Sequence, residues 1–467
     1  MNTTTKWAAA GILSATLVGG WLTASAMSSN KVADMLNTAA KQGAWPDSDF
    51  KIRNLNHQAG MFSSQGDLEL AYVDKCSPSS SDNITWLQVK YNMSHLLLPT
   101  SLMRFDWSLQ PTGDAKAAFE KVFQGSVALS GAGHVRLGQT LDTDLNLPAL
   151  SVSSPDSHFE MSPTKGFVSL SKEGLTIDIN SDKTSYRGGG KALELQQVNF
   201  NVDLDNRKTG TGSSTISFGK VSASDLTLEG LKLISKAQHT DGRYSVSLTY
   251  NLAKAAYQQH RLSDLAISYA VNGMHGESVT KLIALSGVSC GFQNMTNEEE
   301  QQMRGALKTI LTQGMSTGFT QLTAKLENGK VEGQLMLELT KNDQGHVSLA
   351  QHLKVLGDLK VEGQILSAEQ QKSIVDVGFA KATPQGLMAS VQFANQKLLL
   401  NDKDFNSPMV TMMLSELDNK IQHWFEHGSR PRNNNPLEEL VSELPDADLP
   451  AEEAPPPAPT TTSNSEN

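Results

Sequence analysis

Val198-Asn199-Phe200-Asn201-Val202-Asp203-Leu204 decides how this chain is read. Apolar and polar residues alternate strictly, so a strand here has one apolar face and one wet face. The same period of two runs through Val246, Leu248, Tyr250 and Leu252, and again through Leu265, Ile267 and Tyr269. Toward the N-terminus it is found at Phe50 and Ile52, and at Leu68, Leu70 and Tyr72. One-faced strands belong to antiparallel sheets, because parallel sheets are covered on both faces. The connections agree: Lys172-Glu173-Gly174 and Thr240-Asp241-Gly242 read as hairpin turns. Further strands are expected at 330–340 and 353–363. Helical spacing interrupts the pattern near 276–286, 298–317, 367–382 and 408–425. Thr296 and Glu299 have the spacing of a capping box. In the last helix Val410, Met413, Leu414, Leu417, Ile421 and Trp424 share one face. The expected fold is α+β and β-dominated: a large curved antiparallel sheet or a sandwich over 48–427, with about four packing helices.

Both ends of the chain differ from this body. Residues 7–27 carry no charge, and as a helix they span about 31 Å, close to a bilayer core. Trp7 and Trp21 stand near the ends of that run. It reads as a transmembrane anchor behind a six-residue cytoplasmic stub. A signal peptide cut near Ala24-Ser25-Ala26 is the competing reading. Either exports the body, which places it in the periplasm, tethered to the inner membrane or soluble there. A short linker helix is expected at 31–43, stopped by Gly43 and Pro46. At the other end, 428–467 holds eight of the 17 prolines. The eight acidic residues of 433–467 face no basic one there and supply most of the net charge of -10. Such a tail cannot bury enough apolar surface to offset its ordering entropy. The remaining body is nearly neutral, which excludes a strongly basic nucleic-acid binder. A mean hydropathy of -0.32 with one long apolar run excludes a polytopic transporter. Cys76 and Cys290 are the only cysteines. In an oxidising compartment they form a candidate disulfide, or else two separate buried thiols.

Motifs for chemistry are sparse. Gly287-Val288-Ser289-Cys290-Gly291 matches the nucleophile-elbow pattern, and Ser289 is the candidate nucleophile of a hydrolase. That motif needs a strand before it, whereas an apolar helical pattern precedes this one. His423 and His427 stand four apart on a helix without companion ligands, and read as solvated. Gly131-Ala132-Gly133 reads as a bulge or turn, and Gly188-Gly189-Gly190 as a flexible turn. No catalytic residue, cofactor or metal site is assigned.

Ala59-Gly60-Met61-Phe62-Ser63-Ser64 resembles a motif of the YdgA-like family of Gram-negative envelope proteins, a domain of unknown function. That motif, arginine-glycine-apolar-Phe-Ser-Ser, follows an N-terminal membrane segment. Residues 390–401 are similar to the family's closing pair of strands. Ala59 stands where the family has arginine, and Asp402 where it has glycine. The resemblance implies a bacterial envelope protein and brings no catalytic residues.

The function expected is therefore non-enzymatic. Ten or more one-faced strands make a long apolar face, and about four helices cannot cover it. A groove lined by Val198, Phe200, Val202, Val246, Leu248 and Tyr250 would suit a lipid or another apolar ligand. The alternatives are a scaffold that recruits envelope partners through the acidic tail, and the hydrolase at Ser289.

Overall fold

A computed structural model describes residues 38, 41, 50–60, 63–72, 86–94, 103–112, 116, 129–136, 140–288, 295–343, 345–405 and 407–428. The alternating segments form β1 (Phe50–Ala59), β2 (Ser63–Tyr72), β3 (Leu87–Ser94), β4 (Met103–Pro111), β5 (Leu129–Val135) and β6 (Leu141–Leu147). Next come β7 (Leu150–Ser154), β8 (Ser157–Met161), β9 (Thr164–Leu170), β10 (Leu175–Gly188), β11 (Lys191–Asn206) and β12 (Thr211–Ala223). The long strands continue as β13 (Leu226–Thr240), β14 (Arg243–Tyr257) and β15 (His260–His275). Two helices, α1 (Gly276–Val288) and α2 (Asn297–Thr312), precede β16 (Met315–Leu326) and β17 (Gly329–Leu339). The chain then runs through α3 (Leu349–His352), β18 (Leu353–Gly363), α4 (Ala368–Asp376) and β19 (Lys381–Thr383). It closes with β20 (Gly386–Ala394), β21 (Lys397–Leu400), β22 (Lys403–Asp404) and α5 (Ser407–His427).

All 22 described strands belong to one sheet, and every described pairing is antiparallel. It is a meander, in which strands that follow each other in the chain lie side by side. The hairpin β7–β8 extends the pair β6–β9, past Pro148 and Pro163, which cannot donate to a ladder. The sheet is open, so of the two expected architectures the large single sheet is found and the sandwich is not.

Turn chemistry sets the register. Asp241 and Gly242 both adopt positive φ in the two-residue turn between β13 and β14, as Asp-Gly predicts. Gly189 and Gly190 do the same between β10 and β11, making a tight hairpin of the expected flexible turn. Asn401 and Asp402 also have positive φ, so Asp402 holds the conformation for which the resembled family uses glycine. Gly131-Ala132-Gly133 is neither a bulge nor a turn but the interior of β5. Trp107 and Phe105 lie opposite Gly131 and Gly133, and a Cβ at Gly131 would sit 2.7 Å from the Trp107 ring.

Five helices are described where four were expected; α3 is the addition. The helix expected to reach 317 ends at Thr312, because Gly314 has φ 82° and β16 begins at Met315. That expected to reach 382 ends at Asp376, where Gly378 at φ 86° turns the chain into β19. The expected capping box forms at Thr296–Glu299, and the structure adds a second at Ser367–Gln370. The anchor at 7–27 and the tail beyond 428 lie outside the described residues. So does the linker helix, except Thr38 and Lys41, both helical. Among the described residues no helix is long and apolar enough to cross a membrane.

The sheet is covered in one part and bare in another. On β3 and β4 residues alternate between buried and open to solvent, the pattern of a sheet with one face sealed. Val89, Met93, Phe105, Trp107, Leu141 and Val168 join one cluster with exposures of 4% or less. The Trp107 indole donates to Thr143 Oγ1 at 2.9 Å, so its one polar atom is satisfied. The Tyr91 hydroxyl pairs with His57 Nδ1 at 2.8 Å. Burial, and then the charge of Asp67, push Tyr91 ionisation well above its ordinary value, and burial raises Tyr244 too. An unfolded chain gives up these protons first, at about pH 10. The stability they add is thus present below that pH and is lost as pH rises toward the folded values. Alkaline unfolding followed by circular dichroism should show this loss, and Tyr91→Phe should flatten it; an unchanged slope would contradict the assignment.

Candidate functional site

Among the described residues, no second layer faces most of the apolar side chains of β10–β18; only the end beneath α1 and α2 is covered. Cross-strand pairing places Phe200, Ile216, Leu233, Tyr250, Ile267 and Leu322 in one transverse row. The next row holds Val202, Ser214, Ser235, Leu248, Tyr269, Phe319 and Leu335. Paired residues share a face, so five of the six expected groove residues fall in these two rows or, for Val198 opposite Phe218, the row beside them. Val246, opposite Ala237 and Val271, shares the face but lies beneath helices. Leu248 is 47% exposed, Tyr269 38% and Phe319 44%. Among the described residues, these side chains are screened mainly by their neighbours in the sheet.

A crease crosses this face. Gln197 in β11, Gly230 in β13 and Asp264 in β15 all have positive φ, and the ladder skips each of them. The apolar alternation changes phase there: Val198 and Phe200 give way to Leu195 and Leu193, and Tyr250 and Leu252 to Ala255 and Tyr257. The register shows that both sets point the same way. Leu322 and Leu326 lie on one face of β16, which pairs regularly with β17 between them. Leu322 opposes Ile267 and Leu326 opposes Leu262, so β15 spends one unpaired residue at Asp264 and stays apolar on one side. Leu262 pairs with Ala255, Ala255 with Leu228, Leu228 with Val221, and Val221 with Leu195. The face is therefore continuous from the helical end to the hairpin turns. It measures roughly 30 Å along the strands and 40 Å across them, far beyond the few hundred Å² of an ordinary surface patch.

One end is closed. Val279 of α1 and Ile310 of α2 pack with Tyr244, Ala237, Val246, Met274 and Met315. The Tyr244 hydroxyl donates to Thr209 O at 2.8 Å, and Arg243 Nη1 donates to Gly273 O at 2.8 Å and Gln313 O at 3.1 Å. Beside them, Asp418 of α5 accepts from Leu349 N and Ala350 N, and Arg304 of α2 donates to Phe425 O. The expected packing stripe of α5 is only partly used: Met413 is exposed, and Leu417 is 44% exposed. The helix rests on α3, β21 and α2, on its side away from these residues.

The family model for bacterial proteins of unknown function DUF945 matches residues 5–408. The chain belongs to the DUF945 family. The match takes in the whole open face, and it does not itself carry the YdgA-like naming suggested by residues 59–64 and 390–401. No curated protein and no solved structure matches the chain.

In this DUF945 chain Ser289, Cys76 and Cys290 lie outside the described residues. Helix α1 runs to Val288, directly before Ser289, where a nucleophile elbow requires a strand. His423 and His427 stack at 4.4 Å between ring centroids, both exposed. Among the described residues no three His, Cys, Asp or Glu side chains converge in a way that could hold a metal. Sequence reading missed the hairpin-end half of the face, Tyr186, Leu193, Tyr257 and Leu326. An alternation that resumes one residue out of step was the available signal.

Proposed function

We propose that this DUF945 protein is a membrane-anchored periplasmic protein that holds a lipid, or another long apolar ligand, against the open face of β10–β18. The observation that carries this reading is the continuous apolar face, which the described residues leave uncovered across most of nine strands. A face of that size left in water is a binding surface or an aggregation hazard. A second copy laid flat on it would meet α1 and α2, which stand about 10 Å proud of the sheet; an acyl chain would not. The anchor at 7–27 would keep the site beside a source of lipid.

Leu248→Trp tests the reading. On an open face the larger ring should leave stability within about 0.5 kcal/mol, whereas in a filled core it would cost about 1–3 kcal/mol. The variant should bind a fluorescent fatty acid at least tenfold more weakly than the parent in detergent-free buffer. A parent that takes up no such probe would sink the lipid reading.

A further inference from the structure

The two ends of the open face differ in chemistry, and the difference gives a bound ligand a direction. This step rests on the proposed function. At the helical end the face runs under α1 and α2. There Ala237, Val246 and Met274 meet Val279, Leu282 and Ile310, a dry apolar wall. At the hairpin end nothing described closes the face. Tyr257 and His260 pair across the β14–β15 turn, and Tyr257 lies in a row with Leu226. Tyr186 pairs with Leu193 on the same face at the β10–β11 turn. Tyr186 is 42% and Tyr257 51% exposed, so their phenol groups reach water while their rings extend the apolar surface. A polar group placed at the helical wall would lose its hydration without a partner. At the hairpin rim it keeps water and meets the Tyr257 hydroxyl and the His260 imidazole on the neighbouring strand.

We infer that the site takes a long-chain amphiphile in one direction, with its acyl chain pointing toward the α1–α2 wall and its polar head at the Tyr257–His260 rim. The open length from Leu248 to Tyr257 is about 30 Å. A bilayer core of about 30 Å holds two acyl chains end to end, so one extended chain with its head at the rim covers about half of that length and leaves the rest of the face toward the wall free. The face is closed at one end only, so the two directions of a bound chain are not equivalent.

Spin-labelled fatty acids test the direction. Tyr269→Trp puts a fluorescent reporter near the helical end, and Leu326→Trp puts one near the rim. Both positions are exposed and neither is assigned to the head, and the signal is read as quenching beyond that of the parent's own tryptophans. Stearic acid labelled at carbon 16 should quench the Tyr269→Trp variant at least threefold more than the Leu326→Trp variant. The label at carbon 5 should reverse that order. Binding with equal quenching at both sites, or with the opposite order, would overturn the direction while leaving the lipid site standing. No binding of either probe to the parent would instead remove the site itself.

Discussion

Trp107→Ala is expected to destabilise the N-terminal part of the sheet by about 3–5 kcal/mol. Trp107 is 4% exposed within a cluster drawn from β1–β6 and β9, and its indole hydrogen bond to Thr143 is buried with it. Removing the ring opens a cavity, uncovers Gly131 beneath it and leaves the Thr143 hydroxyl short of a donor. Gly131→Val should be comparably harmful for the opposite reason. Its Cβ would lie 2.0 Å from the Asp144 carbonyl oxygen, so the β5–β6 pair would have to separate. The contrast is Phe319→Ala on the open face, which should cost under about 1 kcal/mol because the ring is already 44% exposed. Urea unfolding of the three variants checks the order. Equal losses at Trp107 and Phe319 would mean that both parts of the sheet are covered alike.

The second large effect is expected from Asp418→Ala. Its carboxylate accepts from Leu349 N at 2.5 Å, Ala350 N at 3.1 Å and the Ser348 hydroxyl at 3.4 Å. It thereby fastens α5 to the short helix that leads into β18. Charge-assisted bonds of this kind are worth about 1.5–3 kcal/mol each, and the outermost is long, so a local loss of about 2–4 kcal/mol is expected. Amide hydrogen exchange at Leu349 and Ala350 should accelerate roughly 30- to 1,000-fold. Asp418→Asn keeps one acceptor oxygen and should lose less. Unchanged exchange in the alanine variant would show that packing alone holds α3 in place.

Much of the fold was legible because a half-exposed strand writes its burial into every second residue. Val198 to Leu204 and Val246 to Leu252 gave strand, face and antiparallel pairing together. Legibility ended where the backbone left the period of two. Of the three left-handed crease residues only Gly230 is a glycine. Gln197 and Asp264 give no local warning that the phase is about to shift. The candidate lining therefore stopped at Val198 and Tyr250, although the face continues to Leu193 and Tyr257. Helix ends failed for a related reason: the apolar spacing ran on through Gly314 and Gly378, and only the backbone shows those glycines turning the chain. Which part of the sheet is covered could not be read at all. Leu87, Val89 and Tyr91 alternate just as Leu248 and Tyr250 do, and cover is a long-range property.

Hydroxyl-radical footprinting of the delipidated protein, read by mass spectrometry, tests the open face most directly. Phe319, Tyr269 and Leu248 should be oxidised readily, while Phe105, Met93 and Trp107 in the sealed part are protected many-fold after correction for intrinsic reactivity. If Phe319 and Tyr269 are as protected as Phe105, the face of β10–β18 is covered and there is no open surface for a ligand to fill.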